Sequence, residues 1–339
     1  MRSLRAVPSV LAAGAVLVFA TAVSGVSAAP AAADGHDGFT IKDPRIVESS
    51  GLAASRAHPG IYWTHNDQDK GAFLYAVDSR TGETVATVTM TGVGAPRDVE
   101  AISVGSDGNI YVGDIGDNLN GTWKNVWIYK LPEPKQLTNQ TVRATQYVVK
   151  YADGARDAEA MMVHPKTGRI YIVSKNEDGG GLYESPERMS ASGTNVFRRV
   201  SDVDLWVTDG AFSPNGEQLA LRGYFGGVWY AWQGDGKKPQ RKGRLSVPLQ
   251  RQGESVTYTL DGTTLMYGSE GAQSEVEPVE APGGGGSGDA DSSSGNGGTA
   301  REGDDDPFLS GSLKTGAVVV GAVLLAVFGL KRLGRRGGR

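Results

Sequence analysis

The chain has 339 residues, 39% of them hydrophobic, with 49 Gly, 15 Pro, 4 His and no Cys. This supports a large core and excludes a wholly disordered protein, a disulfide framework, a thiol nucleophile and a Cys-type zinc site, with little room for a multi-His centre. Eight of the 34 basic residues lie at the two ends, leaving 26 against 38 acidic residues in the middle, −12 net, so no nucleic-acid partner is expected.

In chain order, Arg2 and Arg5 precede an apolar run from Val7 to Val23, and Val26-Ser27-Ala28 and Ala31-Ala32-Ala33 follow. This is the layout of a secretory signal peptide, residues 1–33, with an uncleaved anchor helix as the alternative.

Residues 39–282 contain no long helical pattern. Short β-rich runs alternate with Gly, Asp, Asn and Pro, and one pattern recurs. Its copies start at Ser50-Gly51-Leu52, Glu100-Ala101-Ile102, Glu159-Ala160-Met161, Thr208-Asp209-Gly210 and Glu254-Ser255-Val256. Each reaches a turn glycine (Gly60, Gly108, Gly168, Gly216, Gly262) and then a second strand, as in Ile61-Tyr62-Trp63 and Ile110-Tyr111-Val112. Third strands are visible at Phe73 to Val77, Val126 to Tyr129, Gly181 to Tyr183 and Val228 to Ala231. Fourth strands are clearest at Thr84 to Met90 and Gln146 to Tyr151.

The spacing suits the four-stranded blades of an all-β β-propeller. Five blades are predicted, or six if a long insert hides a degenerate one. The segment Phe39 to Val47 is placed to supply the last outer strand. The aromatic residues are expected to pack blade against blade.

Residues 283–312 are dominated by Gly, Ser and Asp, from Gly283-Gly284-Gly285-Gly286-Ser287 to Asp304-Asp305-Asp306. Such a composition reads as a solvated tether. The apolar run 313–330 is long enough, at about 27 Å as a helix, to cross a bilayer. Lys331, Arg332, Arg335, Arg336 and Arg339 in the tail 331–339 are expected to stay cytoplasmic. The expectation is a single-pass cell-membrane protein, its propeller outside and its C-terminal helix in the membrane. No LPxTG-like pentapeptide points to wall attachment.

Ser50-Gly51-Leu52-Ala53, Asp98-Val99-Glu100-Ala101, Asp157-Ala158-Glu159-Ala160 and Gly113-Asp114-Ile115-Gly116-Asp117-Asn118 resemble secreted actinobacterial WD40-like β-propeller repeat proteins over about residues 46 to 275. More distantly, the Ser-Gly-Leu start and Glu-Ala strands are similar to six-bladed propellers that include calcium-dependent lactonases and esterase-like phytases. The resemblance implies the fold and assigns no activity.

In a propeller the first strand of each blade lines a central channel, and one mouth is the usual binding site. Three of the five equivalent positions before these strands carry a carboxylate: Glu100, Glu159 and Glu254. Second strands end in His65-Asn66-Asp67, Asp114 with Asp117, Lys175-Asn176-Glu177, Arg222 and Ser269-Glu270. Candidate mouth residues are therefore Glu100, Glu159, Glu254, His65, Asp67, Arg222 and Glu270.

Three readings of the carboxylates stay open. They accept backbone hydrogen bonds or pair with Arg97, Arg156 and Arg251. Glu100 and Glu159 bind calcium, with Asp114, Asp117 and Asn118 as further ligands. Or two of them act as an acid–base pair, as in glycoside hydrolysis. No nucleophile elbow, Walker loop or His-Glu-x-x-His motif is present. The expected function is an extracellular binding or scaffold module for a ligand or protein partner. A calcium-dependent hydrolase of lactones, phosphoesters or glycans is the alternative.

Overall fold

The computed structural model describes residues 37–67, 71–117 and 121–283. The expected signal peptide, all but Gly283 of the expected tether 283–312, the 313–330 segment, the tail 331–339 and Asn118 lie outside the described residues. Among the described residues no helix is long and apolar enough to cross a membrane.

Twenty-one short strands form the described chain. The first, β1 (Phe39–Thr40), precedes the repeats. Blade 1 comprises β2 (Ser49–Ala54), β3 (Ile61–Asn66), β4 (Phe73–Asp78) and β5 (Thr84–Thr91). Blade 2 comprises β6 (Val99–Val104), β7 (Asn109–Asp114), β8 (Val126–Pro132) and, after the short β9 (Gln140–Arg143), β10 (Thr145–Tyr151). Blade 3 comprises β11 (Ala158–Val163), β12 (Ile170–Ser174), β13 (Gly180–Glu184) and β14 (Thr194–Val203). Blade 4 comprises β15 (Val207–Phe212), β16 (Gln218–Gly223), β17 (Gly226–Ala231) and β18 (Gln240–Leu245). Blade 5 comprises β19 (Gly253–Tyr258), β20 (Thr264–Ser269) and β21 (Glu275–Glu280).

Blade 5 lacks a fourth strand of its own, and β1 provides it. Phe39 pairs with Val276 and Thr40 with Glu275, so the start of the folded chain closes its end. The inner strands contact one another in a cycle, β2 to β6, β11, β15, β19 and back to β2. Five antiparallel units around one axis therefore account for the described residues, in propeller fashion. The repeat glycines make the tight first turns: Gly60, Gly108, Gly168, Gly216 and Gly262 all have φ between 68° and 80°, where a Cβ would be strained.

Alternation along each strand divides the core into layers between blades. Trp63 faces blade 2 with Leu74, Val88, Ile102 and Tyr129, while its neighbour Tyr62 faces blade 5 with Ile41, Ile46 and Met266. Blades 2 and 3 pack through Ile128, Ile172, Tyr183 and Phe197, and blades 3 and 4 through Met162, Tyr171, Phe212 and Leu221. Ala220, Leu245, Val256 and Tyr267 join blades 4 and 5. The expected blade-to-blade aromatic packing is present.

Two features lie beyond the repeat pattern. β9, inserted between the third and fourth strands of blade 2, crosses to blade 1 and pairs in parallel with β5, Val88 opposite Gln140 and Thr91 opposite Arg143. It accounts for part of the long spacing between the second and third copies. The outer strands of blades 2 and 3 also pair in parallel, Val148 opposite Thr194 through Tyr151 opposite Phe197, fusing two blades into one eight-stranded sheet.

Candidate functional site: an acidic channel mouth

Every inner strand breaks its ladder at the same place. Pairing shifts register between Val99 and Ala101, Ala158 and Ala160, Val207 and Asp209, and Gly253 and Ser255. The unmatched residues are Glu100, Glu159, Thr208 and Glu254. In blade 1 the shift falls between Ser49 and Leu52, leaving Ser50 and Gly51. A bulge releases one side chain from the sheet's alternation and re-aims it. Here it turns the glutamates of three blades towards one axis.

The three are buried, with 3%, 4% and 6% exposure for Glu100, Glu159 and Glu254, and Glu100 and Glu254 both feel Glu159. Glu100 is pushed well above the usual carboxylate range by burial and by repulsion from Asp67, Glu159 and Asp98. Burial and repulsion from Glu159 do the same to Glu254, with Glu270 and Asp67 adding. Burial moves Glu159 up to about 7, although Lys175 opposes the shift.

A second tier comes from the residues just after the second strands. The amides of Asp67, Lys175 and Glu270 bond to the carbonyls of Glu48, Asp157 and Gln252 at 2.7, 2.9 and 2.8 Å. Lys175 Nζ donates to Glu159 Oε1 and, at 3.1 Å, to Tyr224 Oη. The surrounding Glu159, Glu254 and Glu100 hold this ammonium well above its ordinary pKa despite burial. Tyr224 continues outward onto Trp206, ring centroids 5.1 Å apart, edge to face.

On the side of blades 1 and 2, carboxylate oxygens of Asp67, Asp98 and Glu100 lie within 4.8 Å of one another. Gly116 makes this convergence possible. A Cβ there would stand 2.7 Å from both Asp98 Oδ2 and Glu100 Oε1. The donor set is three hard oxygens, which suits calcium or magnesium better than a soft metal.

Several candidate residues are placed elsewhere. The Asp114 carboxylate is used inside blade 2: it accepts the amides of Arg97 and Asp98 at 3.0 Å each and the Tyr129 hydroxyl at 2.5 Å. Asn66 braces blade 1 in the same way, accepting the Val47 and Glu48 amides at 2.9 and 3.0 Å. Asp117 accepts the Trp123 amide at 2.5 Å and ties down its own loop. Neither Asp114 nor Asp117 joins the three-carboxylate group, and Asn118 lies outside the described residues.

His65 is not a rim residue. It is 1% exposed, its Nε2 faces Gly51 and Ile102 between blades 1 and 2, and burial pushes its pKa down to about 4. Arg222 is buried between blades 4 and 5, donating to the carbonyls of Ser255 and Gly268 at 2.7 and 2.9 Å and to Gln250 Oε1 at 2.7 Å. The expected arginine partners do not serve the glutamates either. Arg97 is sandwiched by Trp123 and Trp127, 4.0 and 3.6 Å from the ring centroids. Arg156 pairs with Asp153 at 2.9 Å.

Lys175, Asp98, Asp157 and Tyr224 enter the site although sequence reasoning did not select them. Asp157 accepts the Asp117 amide at 2.8 Å, and burial raises its pKa. Their signal was positional. Asp67, Lys175, Tyr224 and Glu270 each follow the last residue of a second strand, while Asp98 and Asp157 each precede the first residue of an inner one.

No family model matches the sequence, and no curated protein matches it. Solved structures resemble it in fold. A gluconolactonase from Xanthomonas campestris is 16% identical, covering 72% of this chain and 80% of its own, with a TM-score of 0.45. The WD40 repeats of RRP9 are 12% identical over 68% of this chain and 67% of that one, TM-score 0.38. Kuenenia stuttgartiensis hydrazine synthase is 12% identical over 65% and 61%, TM-score 0.38. These neighbours differ too widely in name to assign an activity by fold.

Proposed function

We propose that this chain is a binding module whose acidic channel mouth takes a hard divalent cation, such as calcium, on Asp67, Asp98 and Glu100. The observation that carries this reading is their convergence within 4.8 Å over Gly116. The one lysine among the groups that shift Glu100 and Glu254, Lys175, is already engaged by Glu159. Crowded buried carboxylates can relieve their repulsion by taking up protons or a cation. A bound cation would keep outward coordination positions for the oxygen atoms of an extracellular ligand or partner. The cell-surface setting rests on the sequence of the two ends.

Thermal unfolding of the full-length chain at pH 7.5, in calcium and then in EDTA, tests the site. Ligand at 100 times its Kd stabilises by about 2.7 kcal/mol, or roughly 5–10 °C for a domain of this size. The midpoint should rise accordingly in millimolar calcium, and Glu100→Gln should abolish the rise. An unchanged midpoint in the wild-type chain, with magnesium and manganese equally silent, would sink the proposal.

A second reading has its own observation. Glu159, near 7 and beside Lys175, is suited to exchanging a proton at neutral pH. A cation-dependent hydrolase would turn over lactones or phosphoesters and lose that turnover in Glu159→Gln. Absence of turnover across both classes leaves the binding module.

A further inference from the structure

Blade 4 ends in an outer strand that no further strand covers. β5 is covered by β9, and β10 and β14 cover each other, whereas β18 pairs only with β17, as β1 pairs only with β21. This free edge is strongly basic. Between Gly236 and Gly253 stand Lys237, Lys238, Arg241, Lys242, Arg244 and Arg251, six cations with no acidic residue among them.

All six are exposed, and among the described residues none has an ion-pair partner. Other basic residues do find partners. Lys130 pairs with Asp107, Arg169 with Glu184 and Asp235, and Arg199 with Asp153 and Asp202. The surface along Arg241, Lys242, Gly243 and Arg244 is open to solvent.

Protection of an edge strand is the ordinary use of such charges. Here a bulge already supplies protection, because Trp229 pairs with Gly243 and Tyr230 with Arg241, leaving Lys242 outside the ladder. Further cations on the same edge only add mutual repulsion, which an anionic partner would relieve. The bulge also makes the edge a poor acceptor for an added strand, so recognition falls to the side chains. Their arrangement is linear: Lys237 and Lys238 precede the strand, Arg241, Lys242 and Arg244 lie on it, and Arg251 follows. Six strand residues extend about 20 Å.

We infer that the outer edge of blade 4 is a docking strip for a linear polyanion bearing repeated phosphate groups. Arginine forks at 241 and 244 can each grip one anionic group in bidentate fashion, and the lysines add point charges between and beyond them. The strip is opposite in sign to the channel mouth, which would repel the same polymer. The two sites therefore stand or fall separately.

The test is titration of the full-length chain with long-chain inorganic polyphosphate between 50 and 200 mM KCl. Six engaged cations predict that log K falls with log salt concentration with a slope of about −4 to −5. The triple variant R241A/K242A/R244A, altered only at exposed positions, should keep its melting temperature. It should bind at least about tenfold more weakly at 50 mM salt, with a slope shallower by about 2 to 3. The charge-preserving R241K/K242R/R244K should retain most of the affinity. The inference is overturned by no binding at 50 mM salt, by equal binding of the triple Ala variant, or by orthophosphate competing as well as the polymer at equal phosphate. Binding to vesicles of 30% phosphatidylglycerol in phosphatidylcholine, without binding to polyphosphate, would also overturn it and reassign the strip to a membrane surface.

Discussion

Asp114 and Glu100 are two buried acids close in sequence with opposite duties. Asp114 has its oxygens filled by two amides and a tyrosine hydroxyl. Glu100 is held among other carboxylates, with burial and repulsion dominating its surroundings. Removing the first should cost stability and removing the second should not. Asp114→Ala leaves two amides and a hydroxyl without their acceptor in the protein interior, a loss of about 3 kcal/mol or more, visible as a lower urea midpoint in EDTA. Glu100→Gln relieves repulsion and should hold or raise that midpoint while losing the calcium response. If Asp114→Ala unfolds like wild type, its bracing role is wrong. Gly116→Ala makes a complementary case: its Cβ would displace Asp98 and Glu100, so calcium stabilisation should vanish even though no ligand is changed. A full calcium response in that variant would place the cation elsewhere.

At the scale of elements, the bulges and the parallel lacing carry the consequences. Each bulge uncouples one residue, or two in blade 1, from a ladder that is otherwise continuous, so the glutamates reach the axis without disturbing the apolar layers between blades. β9 has a different task. It covers the edge of β5 over four residue pairs, and Asn139 Oδ1 accepts the Thr87 amide at 2.8 Å. Replacing residues 140–143 by Gly-Ser-Gly-Ser should remove roughly 1–2 kcal/mol, from cross-strand pairs worth a few tenths to 1 kcal/mol each. It should also expose a strand edge prone to self-association. Urea unfolding together with light scattering checks both outcomes, and an unchanged midpoint with no larger species would show that β9 is dispensable.

For the whole molecule the acidic mouth makes stability depend on pH. Glu159 is raised to about 7, and Glu100 and Glu254 well above their ordinary value. The folded state therefore holds protons that the unfolded chain has lost once pH exceeds about 4.5. Stability falls as pH rises through the folded pKa values, by up to about 1.4 kcal/mol per pH unit for each retained proton. His65 acts in the opposite sense. Its depressed folded pKa removes stability as pH falls below 6.5 towards about 4. The window from pH 7 to 8.5 therefore isolates the carboxylates. In EDTA the melting temperature should drop across that window, and saturating calcium should flatten the drop by replacing the protons. A melting temperature that rises from pH 7 to 8.5 in EDTA would contradict the buried, repelling cluster.

The repeat was legible because a propeller blade is a local object. Its strands, turn glycines and aromatic alternation recur within about fifty residues, and periodicity alone exposes them. Even the closing strand at Phe39 could be anticipated, since the last blade was one strand short. The three glutamates could be singled out because equivalent positions in a cyclic fold converge.

What the sequence could not supply was register and direction across blades. Whether Asp114 faces the axis or its own backbone depends on Tyr129 and on the amides of residues 97 and 98. The side chains of His65 and Arg222 turn into blade interfaces because neighbouring strands leave space there, and the aromatic pair at 123 and 127 draws Arg97 away from the carboxylates. Lys175 meets Glu159 only after two strands of one blade have folded against each other. Local patterning thus determined the blades, a count of five or six, and the ring of glutamates. Only tertiary packing, which brings strands and blades together in a fixed register, decided which acids meet, which are braced, and which edges are left bare.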